Sequence, residues 1–214
     1  MATYRICFIG DSITVGMGDV EMRGWPSQLA AAEIDRGHNV TVYNLGIGGD
    51  TSELVRERWR TESERRLPAR VPGRLVFAFG LPDLVDEIGV GTRVPLEDSV
   101  AHARAVLSEA SAWLPTLMIG PVPTVDEMQP YVLPNGTQYH LQRDNTANQN
   151  ARYAALCAEI GVPYLDLFSM FAEDEAWDRE QRAYDGTHTT SAGYGMIAAK
   201  VEAWDAWRSW FDES

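Results

Sequence analysis

Three short segments of the chain carry side chains whose types and spacing could perform nucleophilic catalysis. The first is Gly10-Asp11-Ser12, which follows a candidate strand at residues 4–9 that ends in the apolar run Ile6-Cys7-Phe8-Ile9. A serine just beyond a buried strand lies in the crevice where open α/β sheets bind ligands, and its N–H lies near a helix N-terminus that favours negative charge. We therefore predict that Ser12 is a nucleophile. The alternative is a turn in which Ser12 only caps the next helix.

The second segment lies near the other end of the chain and supplies a candidate general base. It reads Asp185-Gly186-Thr187-His188. Histidine can take up and return a proton near neutral pH, and an aspartate three residues earlier can accept a hydrogen bond from the ring and fix its tautomer. The alternative is again a capped turn. The remaining histidines lack such a partner and are predicted to be surface or lid residues: His38, His102 and His140.

The third segment is glycine-rich and spans residues 44–51, Asn-Leu-Gly-Ile-Gly-Gly-Asp-Thr. Glycines ahead of a helix let backbone N–H groups approach a ligand closely. The segment could equally be a flexible strand-to-helix turn or a weak phosphate loop. Neither dinucleotide nor Walker spacing is met, because no Gly-Lys-Ser/Thr follows.

Short apolar runs alternate with longer amphipathic stretches, and these are the elements that must position the three segments. The predicted strands cover residues 4–9, 40–45, 74–79, 116–119 and 162–167. The predicted helices cover residues 25–36, 52–66, 96–113, 145–160 and 191–211. This alternation predicts an α/β fold with a parallel sheet and helices on both faces, since strands that are buried on both faces are continuously apolar.

Size and composition narrow the classes of function. The 214 residues and the 45% hydrophobic content fit one globular domain over residues 1–214. A formal net charge of −13 disfavours nucleic-acid partners and polybasic membrane docking. The spacing of Cys7 and Cys157 fits neither a disulfide scaffold nor a zinc site, and both are predicted to be buried. No sequence motif indicates a metal or a cofactor. We expect no stable membrane insertion and a cytoplasmic location.

The connection over residues 121–140 is unusual. It contains Asn135-Gly136 and four prolines, and it has no clear periodicity. Long irregular loops in compact domains are often functional lids, and this one leaves the sheet at the edge where ligands bind. We predict a substrate lid, with a purely structural loop as the alternative.

In order and approximate spacing, the three segments resemble the motifs of the GDSL/SGNH hydrolase family over nearly the whole chain. The family fold is a flavodoxin-like, three-layer α/β/α sandwich with a five-stranded parallel sheet. Its members are mostly esterases, lipases, thioesterases and carbohydrate deacetylases that use no metal. The resemblance implies Ser12 as nucleophile, His188 as base and Asp185 as its partner, with the N–H groups of Ser12 and Gly49 in the oxyanion hole. The implied function is hydrolysis of a small carboxylic ester through an acyl-enzyme.

One departure from the family pattern concerns the oxyanion hole. After the third strand the family usually carries Gly-x-Asn-Asp, whose Asn donates to the oxyanion, whereas this chain has Gly80-Leu81-Pro82-Asp83. Proline has no side-chain donor and no N–H, and loss of one such donor typically lowers the rate about 100- to 1000-fold. Three interpretations follow: a slow enzyme, a compensating donor elsewhere, or a catalytically impaired protein that binds a small ligand on the same fold.

Further polar residues are candidates for supporting roles around this site. Those expected to cap helices or to accept hydrogen bonds are Asp11, Asp50 and Asp83. Those that could replace the missing oxyanion donor are Asn44, Arg56 and Asn145. The arginines of the helix at 52–66, Arg58 among them, fit a solvated helix face.

An apolar stripe marks the C-terminal segment. At helical spacing it contains Ile197, Val201, Trp204, Trp207 and Phe211. We predict that the stripe packs in the core. The alternative is an exposed face that forms a homo-oligomer.

Overall fold

The structure of the chain, a computed structural model, describes residues 3–133 and 135–211. In chain order the strands in these ranges are β1 (Thr3–Gly10), β2 (Asn39–Gly46), β3 (Gly73–Ala78), β4 (Asp86–Glu87), β5 (Gly91–Thr92), β6 (Thr116–Ile119), β7 (Tyr131–Val132), β8 (Gln138–His140) and β9 (Tyr164–Leu165). The helices are α1 (Ser12–Val15), α2 (Gly24–Asp35), α3 (Ser52–Glu64), α4 (Leu96–Trp113), α5 (Arg143–Ile160), α6 (Leu167–Phe171), α7 (Glu175–Arg182), α8 (Ser191–Glu202) and α9 (Asp205–Arg208).

Five parallel strands form the main sheet, in the order β2-β1-β3-β6-β9. Read as the first to fifth strand of the sheet, this is the order 2-1-3-4-5 of flavodoxin-like folds. The predicted α/β fold with a five-stranded parallel sheet is therefore confirmed. The predicted strand at 162–167 is shorter in the structure, because Pro163 lacks an N–H for the ladder and α6 already begins at Leu167.

Helices cover both faces of the main sheet, which explains why its central strands are continuously apolar. Along β1, Tyr4, Ile6 and Phe8 point to one face, where α2 and α8 pack, while Cys7 and Ile9 point to the other, where α3, α4 and α5 pack. This is the predicted three-layer α/β/α arrangement. Burial raises the pKa of the Cys7 thiol to about 12, as expected for a free cysteine that serves as a small apolar side chain.

The C-terminal stripe lies in the core, as predicted, but the single predicted helix is two helices. Its members Ile197, Val201, Trp207 and Phe211 are buried. The helix breaks after α8 because Trp204 adopts an extended backbone conformation with φ of −80° and ψ of 127°. After this break the Trp207 ring packs 6.1 Å from the Phe8 ring, in the layer that covers one face of the sheet.

A second, antiparallel sheet lies beyond the main one, with the order β5-β4-β8-β7. It includes two short strands from the segment 121–140 that we predicted to be an irregular lid loop, together with the hairpin at 86–92. The segment is less irregular than predicted, because two strands and the 3₁₀ turn Asp126–Met128 give part of it regular structure. Its role as a substrate lid stays a prediction. Pro134 lies outside the described residues.

Among the helices of the described ranges, none has both the length and the apolar composition that crossing a membrane requires.

Candidate active site

Ser12, His188 and Asp185 form one hydrogen-bonded line, although they come from opposite ends of the chain. Nε2 of His188 lies 2.8 Å from Oγ of Ser12, and Nδ1 of His188 lies 2.7 Å from Oδ2 of Asp185. Ser12 is 7% exposed and His188 is 4% exposed, so both residues are largely buried. The line can carry a proton from the hydroxyl to the imidazole while the carboxylate stabilises the imidazolium. The structure brings together the three side chains that the sequence singled out.

A tight turn between β1 and α1 positions Ser12. The Asp11 side chain caps α1 by accepting a hydrogen bond from an N–H of its first turn at 3.0 Å. A Cβ at Gly10 would collide with the Ala78 carbonyl oxygen and the Thr14 hydroxyl, so only glycine fits there. The Thr14 hydroxyl donates to the same carbonyl at 2.9 Å. These contacts hold α1 against the end of β3 and place Ser12 at the carboxyl edge of the sheet.

The turn from Asp185 to His188 fixes the imidazole. Oδ1 of Asp185 accepts hydrogen bonds from the N–H groups of Thr187 at 2.9 Å and of His188 at 2.7 Å, which leaves Oδ2 for the ring. Burial by itself would raise the pKa of the Asp185 carboxyl, but the hydrogen bonds from His188 and Thr187 outweigh burial and hold that pKa below its usual range. Asp185 is therefore ionised at neutral pH and holds the ring with Nε2 toward Ser12.

The glycine-rich loop after β2 lies at the same edge of the sheet. Gly49 lines the cavity beside Ser12, and its φ of 79° is in the left-handed region that favours glycine. The next residue, Asp50, pairs with Arg58 at 2.6 Å, and Arg58 also donates to carbonyl oxygens near the ends of β2 and β1 at 2.8 and 2.9 Å. The prediction that Arg58 lies on a solvated helix face is wrong, because its side chain is 15% exposed and anchors this loop.

The turn after β3 brings Pro82 into the wall of the same cavity. Pro82 belongs to the 3₁₀ turn Leu81–Leu84 and offers no donor. The adjacent Asp83 is fully buried, and its Oδ1 accepts a hydrogen bond from the Ser52 N–H at 2.7 Å. Burial raises the pKa of the Asp83 carboxyl. Asp83 thus ties the turn that carries Pro82 to the first residue of α3, which directly follows the glycine-rich loop.

Asp11 is a second buried carboxyl close to the nucleophile candidate. Burial raises the pKa of Asp11 from its usual 3.8 to about 7; an N–H of Ile13 opposes the rise, and the charges of Asp83 and Asp50 add to it. Near neutral pH a substantial fraction of Asp11 is therefore protonated. Protonation lowers the negative charge at the residue that directly precedes Ser12 in the chain.

The cavity beside Ser12 and His188 has a volume of about 430 Å³. Its other lining residues are mostly apolar or aromatic: Met17, Gly48, Gly49, Asp50, Leu54, Leu81, Pro82, Val85, Arg93, Tyr131, Leu133, Tyr139, Leu141 and Thr187. Sequence analysis did not single out the cavity-lining residues that lie in or next to the small sheet. Their only signal is a period of two, since Tyr131 and Leu133 line the cavity while Val132 between them is 55% exposed. Strands of two or three residues are too short for that period to stand out.

The three candidate compensating donors lie away from the cavity lining. The Asn44 amide donates to the Thr14 carbonyl at 2.8 Å, and its oxygen accepts from the Gly46 N–H at 3.0 Å, so it stabilises the loop. Arg56 on α3 and Asn145 on α5 are exposed. The structure therefore supplies no support for these residues as oxyanion donors. Arg93, which sequence analysis did not single out, is the arginine that lines the cavity.

Two of the other histidines have partners that the sequence did not reveal. The prediction that His38 lacks an acidic partner is wrong, because its Nδ1 lies 2.7 Å from Oε2 of the buried Glu33. Its ring also stacks on Phe211, with centroids 4.5 Å apart. Nδ1 of His102 lies 3.0 Å from Oγ of Ser52. In the part of the chain that the structure describes, no group of three or more His, Cys, Asp or Glu side chains could hold a metal ion.

Comparisons with known proteins place this site in a family context. Residues 8–196 match the model of the GDSL-like Lipase/Acylhydrolase family. A lipase/acylhydrolase from Enterococcus faecalis is structurally similar, with a TM-score of 0.71, 21% identity and 94% of each chain covered. An acetylxylan esterase from Geobacillus stearothermophilus, Axe2, has a TM-score of 0.72 at 18% identity, with 97% of this chain and 98% of that chain covered. No curated protein matches the chain.

Proposed function

This chain belongs to the GDSL-like Lipase/Acylhydrolase family, and on that basis we propose that it is a serine esterase that hydrolyses carboxylic esters through an acyl-enzyme on Ser12. The observation that carries the proposal is the hydrogen-bonded line from Ser12 through His188 to Asp185, with contacts of 2.8 and 2.7 Å, beside a largely apolar cavity. A nucleophile, its base and an orienting carboxylate in this geometry are the parts that acyl transfer requires.

In the proposed acylation step, Nε2 of His188 takes the proton from Ser12 as Oγ attacks the carbonyl carbon of the ester. The electron pair of the carbonyl moves to its oxygen, and the N–H groups of Ser12 and Gly49 donate to the oxyanion. Asp185 stabilises the imidazolium. The intermediate then expels the alcohol, which takes its proton from His188, and leaves an acyl group on Ser12.

Deacylation repeats the same sequence with water as the nucleophile. His188 takes a proton from the water molecule as its oxygen attacks the acyl carbonyl. Collapse of the second tetrahedral intermediate releases the carboxylic acid, and the proton returns from His188 to Oγ of Ser12. Asp185 stays ionised throughout, which agrees with the lowered pKa of its carboxyl.

Pro82 limits how well this mechanism can stabilise the oxyanion. The cavity wall beside Ser12 offers no side-chain donor at that position. We therefore expect a slow esterase, best suited to esters with good leaving groups. The same observation favours a second candidate function, a catalytically impaired protein that holds a small ligand in this cavity.

The cavity and the surface charge define the class of substrate. A volume of about 430 Å³ suits a small molecule, and the largely apolar lining suits an acyl chain or another apolar group. The net charge of −13 disfavours polyanionic partners such as nucleic acids. The proposed partner is therefore a small ester. A cytoplasmic location stays a prediction, and a homo-oligomer stays an untested alternative.

Hydrolysis of p-nitrophenyl esters of increasing chain length tests the proposal. We expect activity that falls at least about 1000-fold in Ser12→Ala and persists in Ser111→Ala, a matched serine variant on the exposed face of α4. The preferred chain length would size the acyl part of the cavity. If wild type and Ser12→Ala are equally inert on every ester, the esterase proposal fails and the ligand-binding function remains.

A further inference from the structure

Arg93 places a cationic side chain in the wall of the largely apolar cavity. It directly follows β5 in the small sheet, and its side chain is half-buried. Its guanidinium Cζ lies 5.7 Å from the centroid of the Tyr139 ring, which also lines the cavity. Arg93 forms no ion pair with any residue that the structure describes. The five N–H donors of its guanidinium are therefore free of protein anions.

The other charged groups around the cavity are compensated within the protein. Asp50 pairs with Arg58 at 2.6 Å, and Asp185 holds His188 at 2.7 Å. Within the described ranges, the uncompensated charge in the cavity lining is therefore the positive charge of Arg93. This is notable in a chain whose net charge is −13, since an anion meets a cationic group here in an otherwise acidic protein.

Backbone hydrogen bonds hold Arg93 against the turn that carries Pro82. The N–H of Arg93 donates to the Val85 carbonyl at 3.1 Å, and the N–H of Val94 donates to the Asp83 carbonyl at 2.9 Å. These bonds run beside the segment that directly follows Pro82. These bonds fix the backbone at Arg93, and the Tyr139 ring lies near its guanidinium. Arg93 is thus more preorganised for binding than an arginine on a mobile surface loop.

Resting on the proposed esterase function, we propose that Arg93 binds an anionic group of the substrate, a carboxylate or a phosphate, when the ester occupies the cavity. A guanidinium presents a planar fork of donors that matches these anions with two parallel hydrogen bonds. A neutral apolar ester that fills the cavity would instead displace water from the guanidinium and leave its donors unpaired. The favoured substrate is accordingly an ester that carries a second, negatively charged group.

Matched p-nitrophenyl esters of a six-carbon acyl chain test this inference. The set is the monoester of adipic acid, its methyl-blocked diester, and a hexanoate that carries a terminal phosphate, each assayed for kcat/KM. We expect wild type to prefer at least one anionic ester over the methyl-blocked one. Arg93→Gln should reduce that preference about 10- to 100-fold, and Arg93→Lys should retain part of it. Comparing the carboxylate with the phosphate identifies the anion.

Arg70→Gln is the matched control, since it removes the same charge from an exposed position before β3, at the opposite edge of the sheet. It should keep the full preference. The same preference in wild type and Arg93→Gln would overturn the inference. A parallel fall in kcat on all three esters would also overturn it, and would assign Arg93 to oxyanion stabilisation.

Failure of the proposed function is distinguishable from failure of this inference. If wild type hydrolyses none of the esters, the esterase proposal fails, and calorimetric binding of adipate then decides the role of Arg93. Adipate that binds wild type about 10-fold or more tightly than Arg93→Gln supports the anion site. Equal affinities for the two proteins overturn it.

Discussion

The carboxylate of Asp83 accepts a hydrogen bond from the Ser52 N–H at 2.7 Å and so joins the turn after β3 to the start of α3. Asp83→Ala would leave this buried N–H without a partner, at a cost of about 1–3 kcal/mol in the free energy of unfolding. Asp83→Asn keeps an oxygen acceptor and should lower the free energy of unfolding much less. Urea unfolding checks the difference, and equal stabilities of the two variants would contradict the structural role of this bond.

Replacing Pro82 tests whether the oxyanion hole lacks a donor. Pro82→Asn adds an amide in the cavity wall beside Ser12 and should raise kcat by about 100-fold on p-nitrophenyl esters. Pro82→Ala is the control, because it restores an N–H without a side-chain donor. No gain in a folded Pro82→Asn variant would show that another group already fills that role.

Gly49 and Gly37 offer a matched pair for the glycine-rich loop. Their φ angles are 79° and 91°, and a Cβ at either would meet no atom within 4 Å, so alanine should cost each about 1 kcal/mol of stability through backbone strain alone. Gly49→Ala should also lower kcat by at least about 10-fold, because the loop beside Ser12 must shift. Gly37, between α2 and β2 at the opposite edge, should not affect kcat. Equal kcat values for both variants would show that alanine leaves the loop in place, and would contradict this prediction.

The raised pKa of Asp11 predicts a pH-dependent stability. Because the folded protein holds this proton up to about pH 7, whereas the unfolded chain releases it near 3.8, the free energy of unfolding falls as pH rises through that window. Asp11→Asn removes this effect and keeps a side-chain oxygen that can cap α1. Its stability relative to wild type should therefore increase by about 1–4 kcal/mol between pH 4 and 7.5. Urea titrations at both pH values check this, and a constant difference would contradict it.

The fold was predictable because its main features depend on local sequence patterns. Strands buried on both faces leave continuous apolar runs, and β1, β3 and β6 each contain such a run. The small sheet was not predictable, since its strands have two or three residues and its two hairpins are joined, through β4 and β8, across a long separation in the chain. The break at Trp204 also escaped prediction, because the apolar spacing continues across it.

Site residues that belong to short sequence motifs could be predicted, whereas those whose roles depend on tertiary contacts could not. Ser12, Asp185 and His188 were recognisable from the order of their segments, although only the fold brings Ser12 and His188 together across 176 residues. Arg58 and Arg93 are two of many arginines in the sequence. Their roles depend on the loop and the cavity against which the fold places them.

Covalent capture with a fluorophosphonate probe tests the central claim, that Ser12 is an activated nucleophile, without any assumption about the substrate. We predict a single adduct on the peptide that contains Ser12, located by mass spectrometry. Labelling should be absent in Ser12→Ala and at least about 100-fold slower in His188→Ala, because the base is lost. A folded wild-type protein that stays unlabelled, or that reacts at another residue, would contradict the account.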